Sequence, residues 1–344
     1  MRRQQFLYSW HPGPILLAFF SLALLALPAR AHDVHEHTAG HGHDPVPETG
    51  ADHHATPRSL LQAFRTTGDD AHLDHAWSLI ETRLRPGSSN PEMLIDAALI
   101  AQARHQFDRA LGLTRNALKL DSRNDQAWLL LASIHLVTGQ TEMASEACDE
   151  LTRVPWIVMV GCEARVAHAS GMGAKVRASF ERALLVMDEA RIGAGTSAWA
   201  LSIAGDLAVA GNDAGAAIGF FRRSLSLVEN TQVRSALVDV LLANDRLAGA
   251  RDALDAGSEA LPLGVRRLIL AKRQDRIADM TDRVAAFDRR FQEWIAAEDW
   301  LHAREMARFY LDVLENPALA KKLIKINIES QKEYEDQLLL RRIS

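Results

Sequence analysis

The chain has 344 residues and a formal net charge of −5. Helix formers dominate, aromatics make up only 6% of the chain, and strictly alternating β-branched runs are few, which points away from a sheet protein. The acidic balance argues against a nucleic-acid partner.

The first thirty-one residues pose a targeting question rather than a folding one. Arg2 and Arg3 form a basic start, Ile15 to Leu27 is interrupted only by Ser21, and Pro28-Ala29-Arg30-Ala31 offers a small-x-small cleavage pattern. A membrane span needs about 20 apolar residues, so this run is short. Residues 1–31 therefore read as a signal peptide cleaved after Ala31, giving a periplasmic protein with no stable membrane insertion after cleavage. An uncleaved anchor is the alternative. Twin-arginine export is a further one, although Gln4-Gln5 puts Phe6-Leu7 one residue too far from the arginines. Cleavage removes three arginines and no acid, so the net charge becomes 36 minus 44, or −8.

Residues 32–57 then read as a disordered, histidine-rich segment. His32, His35, His37, His41, His43, His53 and His54 lie within 23 residues, interleaved with Asp33, Glu36, Asp44 and Asp52. Neutral imidazole is a good ligand for Zn, Ni and Cu, and carboxylates can complete the shell. Glycine and proline between the ligands make such binding adaptable and poorly selective. The alternative is a solvated leader that keeps the exported chain soluble.

Residues 58–90 carry Leu60, Leu61, Phe64, Leu73, Trp77 and Ile80 around a Gly68-Asp69-Asp70 turn, an opening helical pair with a degenerate pattern. The clearest repeats span 91–257. When Pro91–Asn124 is laid over Asp125–Trp156, Leu94 falls on Trp128, Ala98 on Ala132, Ala110 on Ala144 and Ala117 on Leu151, each 34 residues apart. Val160, Ala164, Gly171, Phe180 and Ala183 continue the pattern. Trp199, Gly205, Gly211, Ala217, Phe221 and Ser224 follow, then Leu241, Leu247 and Ala250, with Asp245 where the turn glycine would sit. Asp121-Ser122-Arg123-Asn124 supplies capping residue types ahead of the helix containing Trp128.

This period, with small residues where two helices must touch and a turn between them, resembles the tetratricopeptide repeat. The resemblance implies an all-α solenoid of helical hairpins, a right-handed superhelix over 58–344 with degenerate caps at 58–90 and 258–344. An irregular helical bundle is the plainer alternative. In tetratricopeptide proteins the first helix of each pair lines a concave face. Carried over, that face takes in Leu99, Gln102, Gln126, Ser133, Arg165, His168, Leu207, Gln232 and Asp239. Its charges are few and mixed, unlike relatives that clamp a peptide carboxylate with several cations, so a longer or mixed-polarity protein segment suits it better.

Cys148 and Cys162 are the only cysteines, each seven residues from Pro155. Pro155 sits where the second unit turns into the third, and positions equidistant from the turn of an antiparallel hairpin face each other. In an exported protein a disulfide between them is expected. Two small buried residues at a helix contact are the alternative.

From Pro262 to Arg290 eight Lys or Arg stand against four Asp, spaced as a solvated helix face. Trp294, Trp300, Phe309 and Tyr310 pack a last pair that Asn316-Pro317 separates. The final helix, expected from Lys332 to Ile343, either folds back as a cap or offers its leucines as a docking edge.

No catalytic motif is present. The zinc-protease helix and the Gly-x-Ser-x-Gly elbow are missing, and Gly171 to Lys175 lacks the strand and the Gly-Lys-Ser/Thr ending of a phosphate loop. His302 and Glu305, one turn apart, read as a surface pair. The expectation is a non-enzymatic periplasmic scaffold that needs no cofactor and binds another protein or peptide. The alternative is a metal-handling accessory whose leader holds Zn, Ni or Cu and whose solenoid docks on a transporter or metalloenzyme.

Overall fold

A computed structural model describes residues 55–84 and 90–343. These residues form successive antiparallel helix pairs and, among them, no strand. The pairs are α1 (Pro57–Thr67) with α2 (Ala71–Glu81), α3 (Pro91–Ala103) with α4 (Phe107–Leu120), α5 (Asp125–Val137) with α6 (Thr141–Asp149), and α7 (Trp156–Ala169) with α8 (Gly173–Leu185). A single-turn α9 (Glu189–Ile192) precedes α10 (Ala194–Ala210) with α11 (Ala214–Leu227), α12 (Thr231–Ala243) with α13 (Leu247–Asp255), and α14 (Leu261–Arg273). The partner of α14 is α15 (Thr281–Ala296), entered through a 3₁₀ turn at Ile277–Met280. The last pair is α16 (Ala303–Asp312) with α17 (Pro317–Ser330), followed by α18 (Tyr334–Ile343).

Helix starts follow from local chemistry. Thr56, Asn90, Asn124, Asp188, Asp213, Asn230 and Asn316 each cap a helix by accepting backbone N–H groups of its first turn. The starts at Pro57, Pro91 and Asp125 are 34 residues apart, so the opening pair is in register with the repeats although its pattern looked degenerate. Pro155 ends one turn and leads directly into α7.

The turn inside each hairpin carries one residue with left-handed backbone: Gly68, His105, Gly139, Gly171, Asn212, Asp245, Asp275 and Glu315. In six of these turns the next residue's N–H reaches back five positions, as from Gln106 to Ala101 O (2.8 Å), Gln140 to His135 O (2.7 Å) and Arg246 to Leu241 O (2.9 Å). This is the Schellman closure, which satisfies carbonyls that the helix end would leave unpaired. In the fifth hairpin the left-handed residue is Asn212, one position beyond the expected Gly211, because asparagine also tolerates that conformation.

Packing follows the small residues. Ala110, Ala117 and Ala144 are fully buried, and a Cβ at Gly205 would collide with the Phe221 ring. The second helices are amphipathic, as in α4, which buries Phe107, Ala110, Thr114, Ala117 and Leu118. By contrast α10 is buried on all sides from Thr196 to Val209, as befits a helix at the centre of the assembly. First helices touch in succession, α3 with α5, α5 with α7, α7 with α10, α12 with α14 and α14 with α16.

The run of hairpins closes on itself. The α1–α2 turn wedges against the later pairs: Thr231 Oγ1 donates to Thr66 O (2.8 Å), Ser258 Oγ to Thr67 O (3.0 Å) and His302 Nε2 to Asp70 Oδ2 (2.7 Å). A Cβ on Gly68 would lie 2.5 Å from Ala260 Cβ, so only glycine fits there. From the other end, Lys332 N–H donates to Val137 O (2.8 Å) and Gln331 Nε2 to His105 Nδ1 (2.6 Å). The final segment thus folds back, with Leu339 buried, and its helix starts at Tyr334 rather than Lys332.

Two expectations about charged residues are corrected. Arg266 is buried instead of solvated, with its side chain only 1% exposed against Asp239 and Glu305. His302 and Glu305 do not pair with each other: the first reaches Asp70, the second Arg266.

Candidate functional site

The first helices and the two folded-in ends enclose an inner channel. Eight of the nine residues assigned to the concave face are buried, and Gln232 is exposed. Leu99 and Gln126 border a cavity of about 370 Å³ together with Arg58, Gln62, Trp199 and Ser202. A second cavity of about 170 Å³ is lined by Leu99, Gln102, Gln232, His105, Arg304 and Glu333. Leu61, Arg65, Leu99 and Asn230 line both, so α1, α3 and the N-cap of α12 border the two cavities together.

Neighbouring first helices join polar groups across this channel. Gln102 Nε2 donates to Ser133 Oγ (3.1 Å), linking α3 to α5. Arg58 of α1 binds Asp96 and Glu92 (2.7 Å to the latter) and reaches Gln126 Oε1 at 3.5 Å. Arg165 and His168, one turn apart on α7, meet Ile203, Asp206 and Leu207 of α10. Asp239 belongs to a different arrangement, a buried ion cluster. It accepts from Arg266 (2.9 and 2.6 Å) and from Arg308 (2.9 Å), while Glu305 takes the remaining face of Arg266.

Burial sets the protonation of the channel. Loss of water pushes His168 down to about 4, with the nearby Arg165 charge adding to the effect. Burial, then the charges of His302 and Arg304, holds His105 near 3, so Nδ1 is free to accept from Gln331. Arg65 and Arg165 are pulled down to about 10 by burial and stay cationic at neutral pH. Burial raises Glu333, opposed chiefly by Arg304, and raises Glu335 well above the carboxylate range, with Glu333 as the next cause.

Cys148 of α6 and Cys162 of α7 form a disulfide with Cα atoms 5.8 Å apart, pinning the third hairpin to the fourth. The seven histidines His32, His35, His37, His41, His43, His53 and His54 lie outside the described residues. Among the described residues no group of three or more His, Cys, Asp or Glu is arranged to hold a metal ion, and no helix is long and apolar enough to cross a membrane.

Sequence reasoning missed the polar partners supplied by the chain ends: Arg58 and Arg65 from α1, and Arg304, Glu333 and Asp336 near the C-terminus. The one available signal was the run Lys332-Glu333-Tyr334-Glu335-Asp336, separated only by Gln337 from three leucines, an acidic stretch leading into an apolar one.

The hairpin order, the 34-residue opening period and the repeated left-handed turns define an all-α, tetratricopeptide-type solenoid. No protein-family profile and no curated protein matches the chain. Among solved structures it is similar to the APC/C hetero-tetramer Cut9-Hcn1, at 16% identity and a TM-score of 0.43 over 83% of this chain and 48% of that one. This chain therefore spans about half the length of that one. It is also similar to Pseudomonas aeruginosa PilF (18% identity, TM-score 0.37, 60% of this chain and 97% of that one). A third likeness is to YrrB, described as a TPR protein with an unusual peptide-binding site (14% identity, TM-score 0.24, 76% and 96%).

Proposed function

We propose that this chain is a non-enzymatic interaction scaffold of the periplasm whose inner channel receives a segment of another protein. The observation that carries this reading is the channel itself. Gln102, Gln126, Ser202 and Gln232 are held on first helices and line cavities of about 370 and 170 Å³, with apolar walls from Leu61, Leu99 and Trp199. Polar groups set among apolar walls recognise a chain of mixed polarity. Export is supported by the apolar run ending at Ala31 and by the Cys148–Cys162 disulfide, which persists in oxidising compartments. Capture from envelope extracts tests the reading. Wild type should retain a partner that Gln126→Trp, which fills the larger cavity, releases, while Leu185→Trp on the exposed outer surface retains it. Equal retention by all three would refute a channel partner.

The seven clustered histidines favour a second reading, a metal-handling accessory. Titration of Zn or Ni into the mature chain with and without residues 32–54 separates the two. Saturable binding at about micromolar affinity that vanishes with the segment supports the accessory role.

A further inference from the structure

Residues 331–339 enter the channel as a ligand would. Lys332 N–H caps Val137, the last residue of α5, at one of the carbonyls a helix end leaves open. Gln331 contacts His105 in the neighbouring hairpin turn. Arg304 on α16 then grips two carboxylates three residues apart. It binds Glu333, donates to both oxygens of Asp336 (2.6 and 2.8 Å), and reaches Gln331 Oε1 at 3.3 Å. Arg165 on α7 adds its positive charge to the surroundings of Glu333. Three residues further on, Leu339 is buried in the apolar core.

The fit is imperfect at one place. Glu335 is 3% exposed, and among the described residues no side chain donates to either of its carboxylate oxygens; one oxygen of Glu333 also lacks such a donor. Three carboxylates are buried here, and Arg304 is hydrogen-bonded to two of them. A buried carboxylate with no side-chain donor disfavours the docked state, because water would solvate it on release. The segment is thus held by specific contacts and weakened by a misfit of its own.

We propose that residues 331–343 are a built-in pseudo-ligand occupying the partner's site. In this assignment Arg304, Arg165 and His105 form a subsite for a protein segment with two carboxylates three residues apart and an apolar residue one turn beyond, and such a segment binds by displacing the chain's own. The inference rests on the scaffold reading and gives its partner a chemistry. Self-occupancy lowers the apparent affinity for that partner by the fraction of molecules in the open state.

The test uses the full mature chain and, as probe, a fluorescent peptide with the sequence of residues 329–343. Glu333→Ala with Asp336→Ala frees the site while leaving Arg304 in place. That variant should bind the probe about tenfold or more tightly than wild type, lose binding when Arg304→Gln is added, and ignore a probe carrying lysines at the two acidic positions. Equal binding by wild type, equal binding of both probes, or no binding by the freed chain overturns the proposal.

Should the freed chain fail to fold, Glu335→Gln in the otherwise unaltered protein decides. Removing the misfit charge should slow amide hydrogen exchange across residues 334–343, and unchanged or faster exchange overturns the proposal. In envelope capture, a partner retained by Arg304→Gln as well as by wild type leaves the scaffold reading standing and sinks this site. Acidic-probe binding with no partner captured supports the site and sinks the scaffold reading.

Discussion

Asp239→Ala is the perturbation whose outcome the closed fold dictates most directly. Asp239 lies on α12, where an open solenoid would present it to solvent, yet its side chain is 4% exposed and accepts three hydrogen bonds from Arg266 and Arg308. Both arginine side chains are almost fully buried, at 1% and 5% exposure. Breaking a buried ion pair by removing one partner costs about 3 to 5 kcal/mol, since the remaining charge keeps its desolvation penalty. Glu305 still holds Arg266 at 2.9 and 3.1 Å, which places the expected loss near the lower limit, about 3 kcal/mol. Against a total stability of about 5 to 15 kcal/mol that is a large fraction. Urea unfolding followed by circular dichroism measures it as a lowered midpoint at unchanged slope. Replacing the group together, as Asp239→Leu with Arg266→Met and Arg308→Leu, should cost less than the single change, because no charge is stranded. A loss below about 0.5 kcal/mol for Asp239→Ala, or the triple variant proving the least stable, would refute the reasoning.

Four further outcomes follow from local geometry. Ala144→Leu should overpack a fully buried contact and cost about 1 to 3 kcal/mol, whereas Gln126→Leu, beside a cavity, should stay within about 0.5 kcal/mol; thermal melts in the reverse order would show the register to be misassigned. Replacing both cysteines by serine should cost on the order of 3 kcal/mol for the short loop they close, and free thiols in unreduced, denatured native protein would contradict the bridge. His168 titrates near 4 when folded and near its ordinary value of about 6.5 when unfolded, so the unfolded chain takes up the proton first and stability falls as pH drops through that window. The loss is on the order of 3 kcal/mol, and His168→Phe should flatten the dependence; parallel stability curves for the two proteins would argue against it. N-terminal sequencing of envelope protein should return His32, and Met1 on a carbonate-resistant membrane protein would exclude cleavage.

What could be read from sequence was what depends on neighbours along the chain. The helix starts at Pro91 and Asp125 follow from the 34-residue match, and the Cys148–Cys162 pairing follows from hairpin symmetry about Pro155. The one-residue error between Gly211 and Asn212 has the same local origin, since both residue types suit a helix end. The closure was hidden because its contacts join residues far apart in sequence, such as His302 with Asp70 and Gln331 with His105. Periodicity records which faces are apolar but not how many hairpins complete a turn of the superhelix. Arg266 and Asp239, on the adjacent helices α14 and α12, pair in either case, and that number decides whether the pair also meets solvent. The acids of the final segment were legible as a charged stretch, but the arginine that receives two of them lies on α16, and nothing in the spacing connects the two.

Site-specific photo-crosslinking in intact cells tests the central claim most directly. A photoreactive residue placed at Gln232 or Gln126 lies on the channel, while one at Leu185 or Val186 lies on the exposed outer surface. An interaction scaffold working through its channel should yield a discrete protein adduct from the first two positions and none from the others. Adducts from the outer positions alone, with the channel positions silent, would contradict the account.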